Sequence, residues 1–444
     1  MRQSKALFDR MQGLSAPAPG LGEAEFAGGY PLAAAVLRWL VPDAMLALQM
    51  VSWLSAGLAL WFFNQNLRLL SPGARAESRA VFTVLALALA PYFVRAGLTS
   101  MSDALGLALA LGAFWLGLRV LYKGRTQDAT VAVILMAWAV TTRFGLAALL
   151  APLAVAMLLM LWRYRNLRGI VAIFVAGVLA LLPHFWLKNG VVIHPTQHSM
   201  VQHWSLLNLF RSTFSNENGI AHYLLPNILY LFYPLCHPGF CLLLPGLLFL
   251  AKKTDIILRS KKVLIACIVC YLLLLGGLPH QNLRFLLPAY ALLLLLFFPA
   301  WDRMFAYGFY FFKRLTWFIL AVTLTVQIIA MLKIMAPILA RHRLEVETAE
   351  AIRPMLPQNA TVYAFDLDIA LRSYLPDVQW KNMWEQRYDD FPSGSYVLFN
   401  EPLLRPQWEG RNPILNWDDM NERHRLELQK QLPDGWNLYF LNDE

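Results

Sequence analysis

The chain has 444 residues, of which 58% are hydrophobic and only 15% charged, and its mean hydropathy is +0.47. This composition excludes an ordinary soluble enzyme, because several apolar runs approach the roughly 20 residues that a helix needs to cross a bilayer. The net charge of +10 does not indicate nucleic-acid binding, since most Lys and Arg residues lie in short loops between apolar runs. The sequence therefore predicts a polytopic α-helical membrane protein with about ten transmembrane helices, whose partner is the lipid bilayer.

The chain divides into three parts. Residues 1–43 combine an amphipathic stretch with a Pro- and Gly-rich one, and we assign them to a first extracytoplasmic loop with amphipathic helices. Residues 44–337 are predicted to form a transmembrane helical domain, and residues 338–444 an extracytoplasmic α/β domain. The apolar runs of the membrane domain lie at about 44–63, 80–93, 104–121, 129–142, 145–162, 169–187, 237–251, 263–278, 285–300 and 315–337.

The distribution of basic residues over the loops predicts the orientation in the membrane. One set of loops carries clusters such as Arg163, Arg165 and Arg168, whereas the alternate loops carry isolated basic residues. The positive-inside rule makes the first set cytoplasmic and places the C-terminal domain outside. Residues 1–43 then also lie outside, so we expect a further membrane helix upstream of Met1, giving eleven spans. The polar C-terminal domain has no cysteine, and we expect a bacterial inner membrane protein.

The C-terminal domain shows the pattern of a small α/β fold. Strand-like runs occur at 361–365, 395–399 and 437–441, and they are rich in aromatic and β-branched residues. Helix-like stretches occur at about 341–355 and 418–431.

A polar break interrupts the apolar stretch 90–111 and contains Arg95, Thr99 and Asp103. Ionisable residues between two apolar runs are costly unless they serve a pathway or a site. Asp103 opens a long predicted helix, so it is either an N-terminal cap or a functional carboxylate. As a functional group it would act as a general base or bind a metal or a substrate amine. We select Asp103 as the candidate catalytic residue.

Further polar residues fall on the same predicted membrane face as Asp103. Arg143 interrupts two apolar runs, and an arginine there suits a phosphate, because guanidinium groups pair with phosphate oxygens in a bidentate manner. The turn at 279–285 brings His280, Asn282 and Arg284 within five residues; they are either polar turn residues or ligands of a phosphate. The candidate donor-phosphate-binding residues are Arg95, Arg143, His280, Asn282 and Arg284.

The sequence does not predict a bound metal. His194 and His198 have helical spacing, but Pro195 lies between them and no acidic partner follows at motif spacing. Asp366 and Asp368 form a D-x-D after a predicted strand, which we interpret as a turn and a helix cap. No cofactor is assigned, and a requirement for a divalent cation is left open.

These segments together resemble the C-type (GT-C) integral-membrane glycosyltransferases, a superfamily that includes bacterial mannosyltransferases and aminoarabinose transferases. GGYPLAAAVLRWL is similar to the first external loop of the family, and PYFVRAGLTSMSDALGLAL to its Pro…Arg…Thr-Ser-Asp segment. TTRFGLAALLAPL is similar to its T-R-(P/F) segment, and HQNLRFLLPAY to its H-x-x-x-R-(F/Y)-x-x-P segment. The resemblance implies transfer of a sugar from a polyprenyl-phosphate donor to a lipid, glycan or protein acceptor on the outer face.

The resemblance also implies roles for individual residues. Asp103 would be a second acidic residue of the active site, and Arg143, His280 and Arg284 would face the donor phosphate. The principal acid of the family lies in the first external loop, where this chain offers Asp9, Glu23 and Glu25 without a paired acid, so we expect that acid upstream of Met1. The alternatives are a membrane transporter or flippase of lipid-linked glycans, or a non-catalytic membrane accessory protein.

Overall fold

The computed structural model describes residues 27–70, 81, 83–187, 203–216, 219–240, 258–311 and 313–442. Long apolar helices dominate the first 350 residues, because the apolar runs are long and their backbone groups must be satisfied within each segment. The helices in this part are α1 Gly29–Leu37, α2 Ala44–Leu70, α3 Pro91–Leu98, α4 Asp103–Lys123, α5 Thr126–Thr142, α6 Leu146–Arg163, α7 Leu167–Leu187, α8 Asn227–Tyr230, α9 Tyr233–Cys236, α10 Leu258–Gly277, α11 Leu287–Phe311 and α12 Lys313–Ile352.

The prediction of a polytopic helical membrane protein is confirmed. Six helices within the described residues are long and apolar enough to cross a bilayer. They are Ala44–Leu70, Asp103–Lys123, Leu146–Arg163, Leu167–Phe185, Ser260–Gly277 and Trp317–Met355. Most of the predicted run at 237–251 lies outside the described residues.

Helix α4 is the centre of the membrane part. It packs against α2, α5 and α6, and most of its residues are buried. Close packing requires small residues at two contacts: a Cβ on Gly112 would lie 2.9 Å from the Phe62 ring, and one on Gly117 would lie 3.0 Å from Leu153. Small residues that let helices approach closely are typical of membrane interfaces. The central position of α4 fixes its first residue, Asp103, relative to the neighbouring helices.

The described chain forms two compact units. The first contains the residues up to Arg211 together with Leu225–Ile334, and the second contains Ser212–Leu224 and Met335–Glu444. The second unit therefore includes a hairpin of β1 Thr213–Asn216 and β2 Gly219–His222, which the sequence did not associate with the C-terminal domain.

The C-terminal unit contains a five-stranded mixed sheet in the order β4-β3-β5-β7-β6. Strand β3 is parallel to β4 and β5, whereas β7 is antiparallel to β5 and β6. Its remaining elements are β3 Thr361–Ala364, α13 Asp368–Tyr374, β4 Gln379–Asn382, β5 Tyr396–Phe399, α14 Glu401–Trp408, α15 Asn412–Arg423, β6 Arg425–Gln431 and β7 Asn437–Asn442. The hairpin strand β2 contacts α14.

One predicted element of this domain is wrong. The stretch 418–431 was predicted as a helix, but α15 ends at Arg423 and β6 follows. Leu426 and Leu428 recur with the period of a strand, and β6 is an edge strand with β7 as its one neighbour in the sheet. Edge strands carry many polar residues, which is why this one was mistaken for the end of a polar helix.

Candidate functional site

Asp103 is the first residue of α4 and is almost fully buried, with 4% of its side chain exposed. The preceding residue, Ser102, is the N-cap but forms no side-chain cap hydrogen bond. The Asp103 carboxylate instead pairs with two arginines: Oδ1 accepts a hydrogen bond from Arg143 Nη1, and Oδ2 lies 4.0 Å from Arg284 Nη1. The capping interpretation therefore does not explain this side chain, and its burial is tied to two ion pairs.

Arg143 occupies the point where α5 ends. Its backbone is extended (φ −152°, ψ 108°), and its N–H closes the helix on the Ala139 carbonyl. The side chain crosses α4 at Gly106, where a Cβ would lie 3.2 Å from Arg143 Cδ. Its guanidinium carbon lies 4.6 Å from the centroid of the Phe285 ring. The arginine is thus held between a carboxylate and an aromatic face, which orients its remaining N–H groups.

Arg284 lies in the short 3-10 helix Leu283–Leu286 that follows the predicted polar turn. Its guanidinium carbon is 5.3 Å from the Phe285 centroid, and Nη1 donates to the Met101 sulfur at 3.1 Å. A thioether is a weak acceptor, so this contact leaves most of the hydrogen-bonding capacity of Arg284 unused. Asn282 caps the 3-10 helix, because its Oδ1 accepts from the Arg284 N–H at 3.3 Å.

Two tyrosines that sequence reasoning missed hold this turn in place. Tyr271 donates its hydroxyl to the Phe285 carbonyl at 2.8 Å, and Tyr230 donates to the Asn282 carbonyl at 2.7 Å. Both rings are buried. Tyrosine in an apolar helix signals that a hydroxyl needs a partner, but the sequence alone does not indicate which one.

The polar break before α4 is fixed from the other side by α1 and α2. The Tyr30 hydroxyl donates to the Leu48 carbonyl at 2.7 Å and lies 2.9 Å from Ser52 Oγ. Ser52 in turn donates to the Met101 carbonyl at 3.2 Å. These bonds fix Met101 and hence the start of α4, so Tyr30 and Ser52 position Asp103 without touching it.

The site carries more positive than negative charge. Arg95 of α3 and Arg143 both lie within electrostatic range of Arg284, whereas Asp103 is the acidic residue in contact with the cluster within the described residues. Among the residues that the structure describes, the Nε atoms of Arg95 and Arg284 are buried and have no hydrogen-bond partner. Buried polar atoms are normally paired, so these two N–H groups are candidates for an anionic ligand.

His280 lies beside this cluster and is neutral at physiological pH. Its ring meets the Phe285 ring edge-on, with centroids 5.5 Å apart. Burial, with the added effect of the Arg284 charge, lowers the pKa of His280 to about 4. A neutral imidazole can donate one hydrogen bond and accept another, but it adds no charge to the cluster.

The structure therefore brings Asp103, Arg143, Arg284 and His280 together and places Arg95 nearby. Asn282 contributes by capping the turn. Asp9, Glu23, Glu25, His194 and His198 lie outside the described residues. In the part of the chain that is described, no three His, Cys, Asp or Glu side chains are grouped so that they could hold a metal ion.

Both carboxylates of the D-x-D pair in the C-terminal unit form ion pairs with arginines. Asp366 Oδ2 accepts a hydrogen bond from Arg341 at 2.7 Å, and its φ of +73° marks a tight turn. Asp368 begins α13, where Arg372 and Asn382 bind its buried carboxylate. Asp368 is thus the first residue of the helix rather than its cap.

Comparison with solved structures identifies the fold. The chain is similar to the crystal structure of apo ArnT from Cupriavidus metallidurans, with a TM-score of 0.61 and 14% identity over 99% of this chain and 92% of that one. It is also similar to ArnT from the same organism bound to undecaprenyl phosphate, with a TM-score of 0.58 and 14% identity over 94% and 87% of the two chains. No protein-family model and no curated protein sequence matches the chain.

The chain has the fold of the two ArnT structures, which agrees with the GT-C-like fold that the sequence resemblance predicted. At 14% identity the likeness establishes the fold and leaves substrate and activity open.

Proposed function

We propose that this protein transfers a sugar from a polyprenyl-phosphate donor to a lipid, glycan or protein acceptor at the outer face of a bacterial inner membrane. The observation that supports this most directly is the arginine cluster around Asp103. It combines an excess of positive charge with two buried Nε–H groups that have no partner in the described ranges, and such an environment suits a phosphate group. Undecaprenyl phosphate is the ligand of the similarly folded ArnT.

Arg284, Arg143 and Arg95 bind the donor phosphate in this proposal. Arg284 is 30% exposed and Arg143 14% exposed, so both remain accessible to a ligand while their positions are fixed by Phe285. His280 and Asn282 complete the phosphate site, His280 as a neutral hydrogen-bonding group and Asn282 by holding the turn that carries Arg284.

The chemical step follows from these positions. The acceptor hydroxyl attacks the anomeric carbon of the sugar, the bond from that carbon to the phosphate oxygen breaks, and the polyprenyl phosphate leaves with the bonding electrons. Negative charge develops on the phosphate, where preorganised arginines stabilise it without reorganisation. Asp103 orients these arginines and is proposed to orient or deprotonate the acceptor hydroxyl.

The location of the polar residues argues against a transporter or flippase. In transporters the substrate site lies near the bilayer midplane on interrupted helices. Here Asp103 starts a helix, Arg143 ends one, and Arg284 lies in the turn between α10 and α11. The three residues therefore mark helix ends, which suits a reaction at one membrane face.

The test is a transfer assay with polyprenyl-phosphate-linked sugars in membranes that contain the full-length protein. Asp103→Asn should lower the transfer rate at least about 100-fold if the carboxylate serves the chemical step. Asp128→Asn is the matched control, because Asp128 is a similarly buried carboxylate that pairs with Arg119 at the junction of α4 and α5. Equal rates for Asp103→Asn and the wild type would remove Asp103 from the mechanism.

A further inference from the structure

A cluster of aromatic side chains lies next to the arginines and is not used by the chemistry described above. Tyr92 belongs to α3, Tyr233 to α9, and His237 follows α9 directly. The ring centroids of Tyr233 and His237 are 5.1 Å apart, and those of Tyr92 and His237 are 6.1 Å apart. Tyr92 is buried, whereas Tyr233 and His237 are half-buried, so the cluster has an accessible side.

The base of this cluster is rigid. The Phe240 ring is fully buried 5.2 Å from Tyr92 and 5.0 Å from Tyr290. Gly239 packs directly on the Tyr92 ring, because a Cβ there would lie 2.3 Å from Tyr92 Cε2. The position of the Tyr92 ring is therefore fixed before any ligand arrives, which lowers the entropic cost of binding.

The two tyrosine hydroxyls of the cluster lack partners in the described part of the chain. Within the described residues, neither the Tyr92 hydroxyl nor the Tyr233 hydroxyl forms a hydrogen bond, and neither oxygen is among the buried polar atoms, so both hydroxyls are open to a ligand. The other tyrosines around the site behave differently: the hydroxyls of Tyr230, Tyr271 and Tyr290 each donate to a backbone carbonyl. The two accessible hydroxyls can therefore pair with a ligand, while the rings that carry them supply an apolar face.

His237 adds a third unused donor. Its Nδ1 accepts a hydrogen bond from the Gly239 N–H at 2.9 Å, so that nitrogen carries a lone pair. The proton of the neutral ring is then on Nε2, which forms no hydrogen bond within the described part of the chain.

The cluster is contiguous with the proposed phosphate site. Tyr92 and Arg95 are three residues apart on α3 and therefore lie on the same face of that helix. Tyr233 packs edge-on against Tyr230, whose hydroxyl holds the turn that carries Arg284. A group attached to a phosphate at Arg95 and Arg284 would be within reach of the aromatic rings.

We propose that Tyr92, Tyr233 and His237 form a subsite that binds the sugar of the phosphate-linked donor. A sugar ring presents C–H groups that pack on aromatic faces and hydroxyls that pair with the two tyrosines and with His237 Nε2. An isoprenoid chain would fill the same space but would leave all three polar groups unpaired, which is unfavourable. The proposal rests on the proposed function, because it assumes a phosphate bound at the arginines.

The experiment compares the binding of two kinds of lipid to the full-length protein in detergent micelles. The first is undecaprenyl phosphate, and the second is its glucosyl, mannosyl or aminoarabinosyl ester, of which the tightest binder is used. Tyr92→Phe and Tyr233→Phe keep the ring and remove one hydroxyl each. Each should weaken binding of the sugar ester about three- to ten-fold and leave binding of undecaprenyl phosphate unchanged.

Tyr122→Phe is the matched control, because it removes a tyrosine hydroxyl at the end of α4 opposite to Asp103, where Tyr122 is hydrogen-bonded to Ser260. It should change neither affinity. Equal losses for both lipids, no loss for either, or no preference of the wild type for any sugar ester would overturn the sugar subsite. A gain in affinity for undecaprenyl phosphate in Tyr92→Phe would assign the cluster to the isoprenoid instead. Failure of the wild type to bind either lipid would overturn the phosphate site and the sugar subsite together.

Discussion

Replacing Arg143 with methionine tests how strongly the site depends on the pairing of its buried carboxylate. Methionine keeps much of the volume of the arginine stem but removes the charge and the hydrogen bond to Asp103 Oδ1. Asp103 is 4% exposed and would keep Arg284 as its ion-pair partner, at 4.0 Å. Arg143→Met therefore leaves an almost fully buried, incompletely paired carboxylate.

The expected cost follows from this burial. Removing one partner of a buried ion pair costs about 3 to 5 kcal/mol, because the other charge remains without compensation. Arg284 stays close enough to offset part of this loss, so we expect about 3 kcal/mol. For 444 residues with the unfolding entropy typical of globular proteins, this corresponds to a decrease in Tm of about 3 °C.

The assay is thermal unfolding in detergent, followed by tryptophan fluorescence, for both single variants and the double variant. Asp103→Asn combined with Arg143→Met removes both charges, so the double variant should recover most of the Tm lost in Arg143→Met. Additive losses in the double variant would show that the two side chains are not energetically coupled, which would refute the reasoning.

Three further predictions concern the surroundings of the site. Gly106→Val should displace Arg143 and weaken binding of undecaprenyl phosphate at least about five-fold. Gly57→Ala is the control and should leave binding unchanged, because a Cβ at Gly57 meets no atom within 4 Å. Equal binding in both variants would contradict the close approach at Gly106. His280 has a pKa of about 4 in the folded state, below its ordinary value of 6.5. The free energy of unfolding should therefore decrease by up to about 3 kcal/mol as pH falls from 6.5 to 4. His280→Gln should abolish that part of the pH dependence. The same pH profile of unfolding free energy in His280→Gln and in the wild type would show that folding does not lower the pKa of His280. Asn227→Ala should lower the free energy of unfolding by about 2 to 4 kcal/mol, because the Asn227 amide donates to two carbonyls at the end of α10. A Tm equal to that of the wild type in thermal unfolding would exclude this role.

Much of the membrane architecture could be predicted because hydrophobic length determines it directly. The runs at 104–121, 145–162 and 263–278 correspond to α4, α6 and α10 within a few residues. The polar breaks between runs likewise marked Asp103, Arg143 and Arg284, since ionisable residues are rare between membrane helices without a reason.

The contacts within the site could not be predicted in the same way. Asp103 and Arg143 are 40 residues apart, and their pairing depends on the packing of α4 against α5 at Gly106. The role of Phe285 as a platform for two guanidinium groups is also invisible in the sequence, because an aromatic residue after an arginine is common in apolar segments.

Short elements of the C-terminal unit were the least predictable. Strand β4, Gln379–Asn382, has four residues and carries Lys and Gln, so its propensity is weak and only pairing with β3 makes it a strand. The hairpin at Thr213–His222 joins this unit although more than 100 residues separate it from the rest of the domain. Such long-range association leaves no local signal in the sequence.

The most direct test of the central claim is the affinity for undecaprenyl phosphate of the wild type and of Arg284→Gln. Arg284 supplies an accessible guanidinium and a buried Nε–H without a partner among the described residues, so its loss should weaken binding at least about ten-fold. Arg163→Gln is the matched control, because it removes one exposed positive charge at the far end of α6 from the site. A ten-fold loss in Arg284→Gln with unchanged binding in Arg163→Gln is the predicted result. Equal affinity in all three proteins would contradict the assignment of the arginine cluster as the lipid-phosphate site.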